Sequence, residues 1–322
     1  MIKDFADRIA FVFFYLFVQL VSLLPFRMLY WLSDVFYFLC YYVVRYRRKV
    51  VYGNLKSAFP EKSEDERKKI EKESYHWFCD IILESVKAFR MSIADLNERV
   101  KYEDMDIMRK HIDNGKSVYM DMAHTGPWEW VPNIYLEYFK DIVGAVLYRQ
   151  VKNKYIDEFL LKGRKRFETL VIPKDKALFP LARLNRDGKI FAIGLLADQT
   201  PSRGNLHFWT DFLNHDTAFL QGPERLAKVT KSAVVYLDFR REKRGYYICR
   251  FVDICADASL EPDGEVTKRY ANLLEQSIRR APAIWFWTHR RWKYDHQQII
   301  KEDAAREAAR QEKAAHDKDK RE

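Results

Sequence analysis

Between residues 117 and 280 the chain alternates short apolar runs with amphipathic ones, and this alternation restricts the fold more than any other feature of the sequence. Residues 117–122, 142–148, 189–197 and the shorter 169–172 read as strands. Stretches 127–139, 154–167 and 176–186 between them carry apolar residues at helical spacing. A helix over 217–230 follows, then neighbouring strands at 233–240 and 246–254 with Gly245 near the turn, and a closing helix at 266–280. Strands that alternate with helices form βα units whose parallel sheet is covered on both faces. The expected class is therefore α/β: a layered αβα domain with a mainly parallel, mixed sheet.

The N-terminal part obeys a different constraint. Residues 9–24 are free of charge and interrupted only by Gln19 and Ser22. As a helix, such a run spans roughly 24 Å, slightly short of a hydrocarbon core of about 30 Å. Pro25, Phe26 and Arg27 follow, then a second apolar stretch, 28–44, with Asp34 inside it. Aromatic rings crowd both stretches, among them Phe11, Phe13, Trp31, Phe36, Tyr41 and Tyr42, and such rings favour a lipid interface. Two arrangements fit: a tilted spanning helix followed by an interfacial one, or a hairpin that dips into the membrane and returns. A cleaved signal peptide fits less well, because no small-residue cleavage site follows the first run. Arg45, Arg47, Arg48 and Lys49 come next. Basic residues there place the following chain on the cytoplasmic side and close to anionic head groups. A helix is expected over 63–91, opened by a Ser63–Glu66 capping box. The chain thus divides into a membrane-anchoring segment (1–48), a catalytic domain (49–297) and a charged tail (298–322), the last a solvated helix or disordered.

The formal net charge of +10 favours an anionic partner: nucleic acid, an anionic membrane or a phosphorylated substrate. The apolar N-terminus favours the membrane. Zinc-ligand spacing, a helix-turn-helix signal and an RNA-binding motif are all missing, which argues against a nucleic-acid partner. A basic membrane-associated binding protein is the alternative from outside enzymology. Cys40, Cys79, Cys249 and Cys255 form no metal-ligand pattern. They read as reduced thiols, with Cys79, near His76, the one nucleophile to weigh.

Chemistry concentrates after the 117–122 strand, where the chain runs Ala123-His124-Thr125-Gly126-Pro127-Trp128-Glu129. Gly126 permits a turn and Pro127 suits the first position of a helix. His124 then lies at a strand's carboxyl end, where open α/β sheets hold their ligands. Glu129 is close enough in sequence to fold back, fix the imidazole tautomer and leave the other nitrogen to take a hydroxyl proton. With 8 His and 46 acidic residues, about one such spacing arises by chance, so the spacing alone is weak. Arg149 follows the next strand, Arg164 lies in a Gly163-Arg164-Lys165-Arg166 cluster, and Asp198-Gln199 follows the 189–197 strand. Cations so placed can hold a phosphate or a developing oxyanion. Each alone also fits a surface charge.

Taken in order, these blocks resemble the late lipid A biosynthesis acyltransferases, the lauroyl and myristoyl transferases, whose wider relatives act on glycerolipids and phosphatidylinositol mannosides. The resemblance runs from residue 9 to about 295. It includes Arg47-Arg48-Lys49-Val50, Asn54-Leu55, Ala58-Phe59-Pro60-Glu61, His124-Thr-Gly-Pro-Trp-Glu129, Tyr148-Arg149, Gly163-Arg164, Asp198-Gln199, Thr217-Ala218-Phe219 and Trp285-Phe286-Trp287-Thr288-His289-Arg290-Arg291. It implies His124 as general base with Glu129 as its partner, and substrate-binding roles for Arg149, Arg164 and Asp198. It also implies a glycerolipid acyltransferase-like fold, an acyl carrier protein thioester as donor, a phosphorylated lipid A precursor as acceptor, no cofactor and no metal. The expected location is the cytoplasmic face of a bacterial inner membrane. Gln150, Asn214 and Thr200-Pro201-Ser202 depart from the family pattern at positions that bear on substrate rather than reaction type. An aminolipid or glycerophospholipid acceptor is the alternative within the same chemistry.

Overall fold

A computed structural model describes residues 2–319. The chain opens with α1 (Ile2–Leu23) and α2 (Phe26–Phe38), continues through α3 (Arg48–Ala58), α4 (Glu64–Lys87) and α5 (Ile93–Arg99), then enters β1 (Val100–Glu103) and α6 (Met105–Asp113). Next come β2 (Val118–Met122), α7 (Asn133–Glu137), β3 (Val143–Tyr148), α8 (Lys154–Lys165), β4 (Leu170–Pro173), α9 (Leu178–Arg186) and β5 (Phe191–Leu196). A hairpin of β6 (Phe208–Phe212) and β7 (His215–Phe219) precedes α10 (Gly222–Val229), β8 (Ala233–Lys243), β9 (Tyr246–Cys255), α11 (Glu265–Arg280) and α12 (His296–Asp319).

Seven strands form one sheet in the order β1-β9-β8-β2-β5-β3-β4. The five from β8 to β4 are mutually parallel, while β9 pairs antiparallel with β8 and β1 joins β9 in parallel. All five residues of β2 are buried, as a central parallel strand covered on both faces requires. Two apolar layers sandwich the sheet, one containing Tyr119, Ile193, Tyr236 and Leu274, the other Met120, Ala192, Val235 and Trp130. The layered α/β reading of the sequence therefore holds.

Local differences have physical causes. The expected helix over 217–230 is instead β7 followed by α10. Asn214 and Leu213 adopt φ of 65° and 50°, closing a two-residue hairpin that pairs Phe212 with His215. Pro223 then starts the helix. The expected helix over 127–139 is a single 3-10 turn, Trp128–Trp130, and the short α7. In α4 the Ser63–Glu66 capping box forms in both directions.

Helix α1 is the one described helix long and apolar enough to cross a membrane, and its faces lie largely open: Phe13 is 70% and Leu20 67% exposed. Apolar surface of that extent needs a non-aqueous partner. Helix α2, by contrast, is docked. Ser33 donates to the buried Asp80 of α4 at 2.6 Å, and Tyr30 donates to Glu84 at 2.8 Å. Asp80 also receives Arg241 and Arg244 from the β8–β9 hairpin, and Glu84 receives Tyr247. Two buried carboxylates thus fasten the second apolar segment to the sheet. The four basic residues after it divide: Arg48 bonds Glu71, Arg47 donates to the Thr288 carbonyl, and Arg45 and Lys49 are exposed. Cys79 is buried within α4 and burial pushes its thiol up, which disfavours a nucleophilic role.

Asp121, at the centre of β2, carries a titratable liability. Its Oδ1 is buried without a hydrogen-bond partner, and burial, with the charge of Glu224, pushes its carboxyl up to about 8. Between the unfolded value near 4 and this raised value the folded state holds a proton that the unfolded chain releases, so this group lowers stability as pH rises through that window. Asp121→Asn should therefore raise the Tm at pH 8, with the gap closing as pH falls toward 4. A thermal-melt series compared with wild type checks this, and a pH-independent gap would contradict it.

Candidate active site

The strand order brings the ends of β2, β5 and β3 side by side, so residues far apart in sequence meet at one edge of the sheet. His124 follows β2, Asp198 follows β5 and Arg149 follows β3. Gly126 is needed for close approach rather than for an unusual φ: a Cβ there would lie 2.2 Å from Cδ1 of Phe239. The His124 loop is thereby pressed onto the sheet.

His124 Nδ1 and Asp198 Oδ1 are 2.7 Å apart, and the His124 backbone N–H donates to Asp198 Oδ2 at 3.1 Å. Trp285 Nε1 donates to the same oxygen at 2.8 Å. Asp198 is 2% exposed, and burial is the largest influence on it, pushing its carboxyl up. The adjacent His124 and the bonds from Trp285 and the backbone outweigh that influence and hold it below the ordinary carboxylate value. A carboxylate so held accepts the proton of Nδ1 and leaves Nε2 as the free lone pair. Gln199 Nε2 lies 3.4 Å from that nitrogen. Phe286 stacks beside the imidazole with ring centres 5.4 Å apart, and Trp128 meets it edge-on at 4.8 Å.

Here the sequence expectation needs correcting. Glu129 does not fold back to His124. It sits in the 3-10 turn and receives Arg164 of α8, Nη2 to Oε1 at 2.7 Å and Nε to Oε2 at 3.3 Å. A two-pronged guanidinium–carboxylate pair is a strong competitor for a nearby acid, and the neighbouring strand supplies Asp198 in its place. Glu129 also raises the Arg164 pKa, against the larger opposing effect of burial. His124 and Asp198 are thus brought together, as are Glu129 and Arg164, while Arg149 is exposed at the same edge. Sequence reasoning placed Asp198 at a strand end but missed its partnership with His124, which depends on β2 and β5 being neighbours.

The packing of Trp285 and Phe286 also has no signal in the sequence. They belong to an irregular strap, residues 281–295, tied down from several sides. Asn54 of α3 donates to the Trp287 and His289 carbonyls at 2.8 and 2.9 Å. The Thr200 hydroxyl faces the Arg290 and Arg291 carbonyls at 2.9 and 2.7 Å, and the Thr200 N–H donates to His289 Nε2 at 3.1 Å. The buried Arg291 donates to the Ala218 carbonyl and lies over the Phe219 ring. Among the described residues no three His, Cys, Asp or Glu side chains gather closely enough to hold a metal.

A partly exposed imidazole held by a buried carboxylate at the carboxyl edge of a mostly parallel sheet is an arrangement suited to acid–base chemistry. Residues 5–294 match the family model for the bacterial lipid A biosynthesis acyltransferases, and the chain belongs to that family. It is accordingly an acyltransferase of the lipid A biosynthesis type. No curated protein matches it individually.

Two substitutions follow from this geometry. Asp198→Asn removes the charge that fixes the imidazole, and acyl transfer should fall by about 10²–10⁴-fold with the fold retained; steady-state rates and circular dichroism together check it. Gly126→Ala forces a methyl group against Phe239 and should cost about 1–3 kcal/mol of stability, read as a lowered midpoint in denaturant.

Proposed function

We propose that the protein transfers a fatty acyl chain from an acyl carrier protein thioester to a hydroxyl of a phosphorylated lipid A precursor at the cytoplasmic face of the bacterial inner membrane. The observation that carries the chemistry is the 2.7 Å contact between His124 Nδ1 and Asp198. Nε2 of His124 takes the proton of the acceptor hydroxyl as its oxygen attacks the thioester carbonyl. The tetrahedral intermediate collapses, the carbon–sulfur bond breaks, and the departing thiolate takes the proton back from His124. No enzyme nucleophile is required. The nascent imidazolium is stabilised by Asp198, whose charge is already fixed by three donors.

Arg149 and Arg164 supply positive charge at the same edge, suited to an acceptor phosphate or a developing oxyanion. In this reading Glu129 holds Arg164 in place rather than orienting the base. The acidic donor protein matches a chain of net charge +10, and the open faces of α1 match a lipid environment beside the acceptor. Arg45 and Lys49, exposed just after the second apolar segment, fit the cytoplasmic orientation.

Purified protein given acyl carrier protein thioester and a phosphorylated lipid A precursor should consume the thioester and yield an acylated lipid. His124→Ala should lose about 10²–10⁴-fold in rate. Transfer by His124→Ala at the wild-type rate would overturn the mechanism. Mass spectrometry of lipids from cells lacking the gene identifies the acceptor: loss of an acyl chain from lipid A is expected, and loss from an aminolipid or glycerophospholipid contradicts the acceptor named here.

A further inference from the structure

Helix α8 and the residue that caps its C-terminus supply two cations that the site above does not use. Lys162 and Arg166 are four residues apart and share a face, whereas Arg164 turns to Glu129. With Arg90, Gln19 of α1 and the rings of Phe89 and Phe159 they line a cleft of about 310 Å³. Its lining holds no carboxylate. Arg90 directs Nε and Nη2 to the Gln19 side-chain oxygen at 3.1 and 2.8 Å. Arg166 Nη2 is buried with no hydrogen-bond partner, and burial alone pulls its guanidinium down. A half-buried guanidinium with no carboxylate in the cleft it lines favours an anion there.

The surroundings indicate what would complete it. Phe89 and Phe159 stack with centres 5.0 Å apart, and Phe14 and Tyr15 of α1 pack edge-on against Phe159. A Cβ on Gly163 would lie 2.4 Å from Phe89, so the glycine lets α8 close onto this aromatic wall. Leu16 and Leu23 flank Gln19 on α1 and are about half exposed, at 50% and 58%. Three cations therefore meet an apolar track on the one helix suited to a bilayer. Phosphate oxygens satisfy guanidinium and ammonium donors together, and acyl chains satisfy the track.

We propose that this cleft binds the phosphate of an anionic bilayer phospholipid, with Arg90, Lys162 and Arg166 on the head group and the acyl chains along Leu16 and Leu23. The site rests on the membrane placement of α1 proposed above but not on acyl transfer, so a binding readout separates its failure from that of the enzymatic reading.

The test uses the full chain in neutral detergent, titrated by calorimetry with dioctanoyl phosphatidylglycerol, dioctanoylglycerol and inorganic phosphate as separate probes. Phosphatidylglycerol should bind at least tenfold more tightly than either fragment. The triple variant Arg90→Gln, Lys162→Gln, Arg166→Gln should lose at least tenfold in affinity. A remote triple of equal charge change, Lys72→Gln, Lys140→Gln, Lys268→Gln, should lose less than twofold. If the cleft triple fails to fold, Arg166→Gln alone should still lose at least threefold. Equal losses in both triples, or no loss in the cleft variants, would overturn the site. Inorganic phosphate binding as tightly as the lipid would overturn the lipid assignment.

Discussion

One carboxylate organises the centre of this protein. Asp198 receives the imidazole and backbone of His124 and the indole of Trp285, so a single buried charge fixes a loop, a side-chain tautomer and the strap at the end of the catalytic domain. Burial works against that charge. It stays ionised only because its donors are already in place, which is the preorganisation that acid–base catalysis requires. Loss of one donor therefore weakens the positioning of the others.

The same dependence reaches the apolar N-terminal part of the chain. The strap that brings Trp285 and Phe286 to the site is held by Asn54, while Arg47 reaches the Thr288 carbonyl from the turn after the apolar segments. Helix α2 is bound through Asp80 and Glu84 to α4 and to the β8–β9 hairpin, whose strand β8 lies directly beside β2. Helix α2 is thus tied mechanically to the sheet that carries His124. The connection runs through buried polar bonds rather than through a flexible linker.

Much of this was legible in the sequence. A short, largely apolar strand running into His-Thr-Gly-Pro announces a strand terminus, and the alternation of elements announces a mostly parallel sheet. The partner of His124 was not legible, because the adjacency of β2 and β5 follows from strand order and not from chain order. Glu129 misled by proximity: five residues along, it looks ready to reach the imidazole, yet a 3-10 turn and the two-pronged Arg164 take it elsewhere. The β6–β7 hairpin has no clear sequence signal because Leu213-Asn214 lacks the glycine that usually marks such a turn. Four-residue β1 is a strand by virtue of its pairing with β9, which nothing local reveals. The strap has no periodicity at all, and its role depends on what its tryptophans touch.

The tautomer of His124 tests the central claim most directly. Nitrogen-15 NMR of histidine-labelled protein, assigned with His124→Gln, reports which ring nitrogen bears the proton. With Asp198 as the acceptor, Nδ1 should be protonated and Nε2 bare in the neutral ring, and Asp198→Asn should abolish that preference. A proton on Nε2 in the wild-type protein, or a spectrum indifferent to Asp198→Asn, would contradict the account.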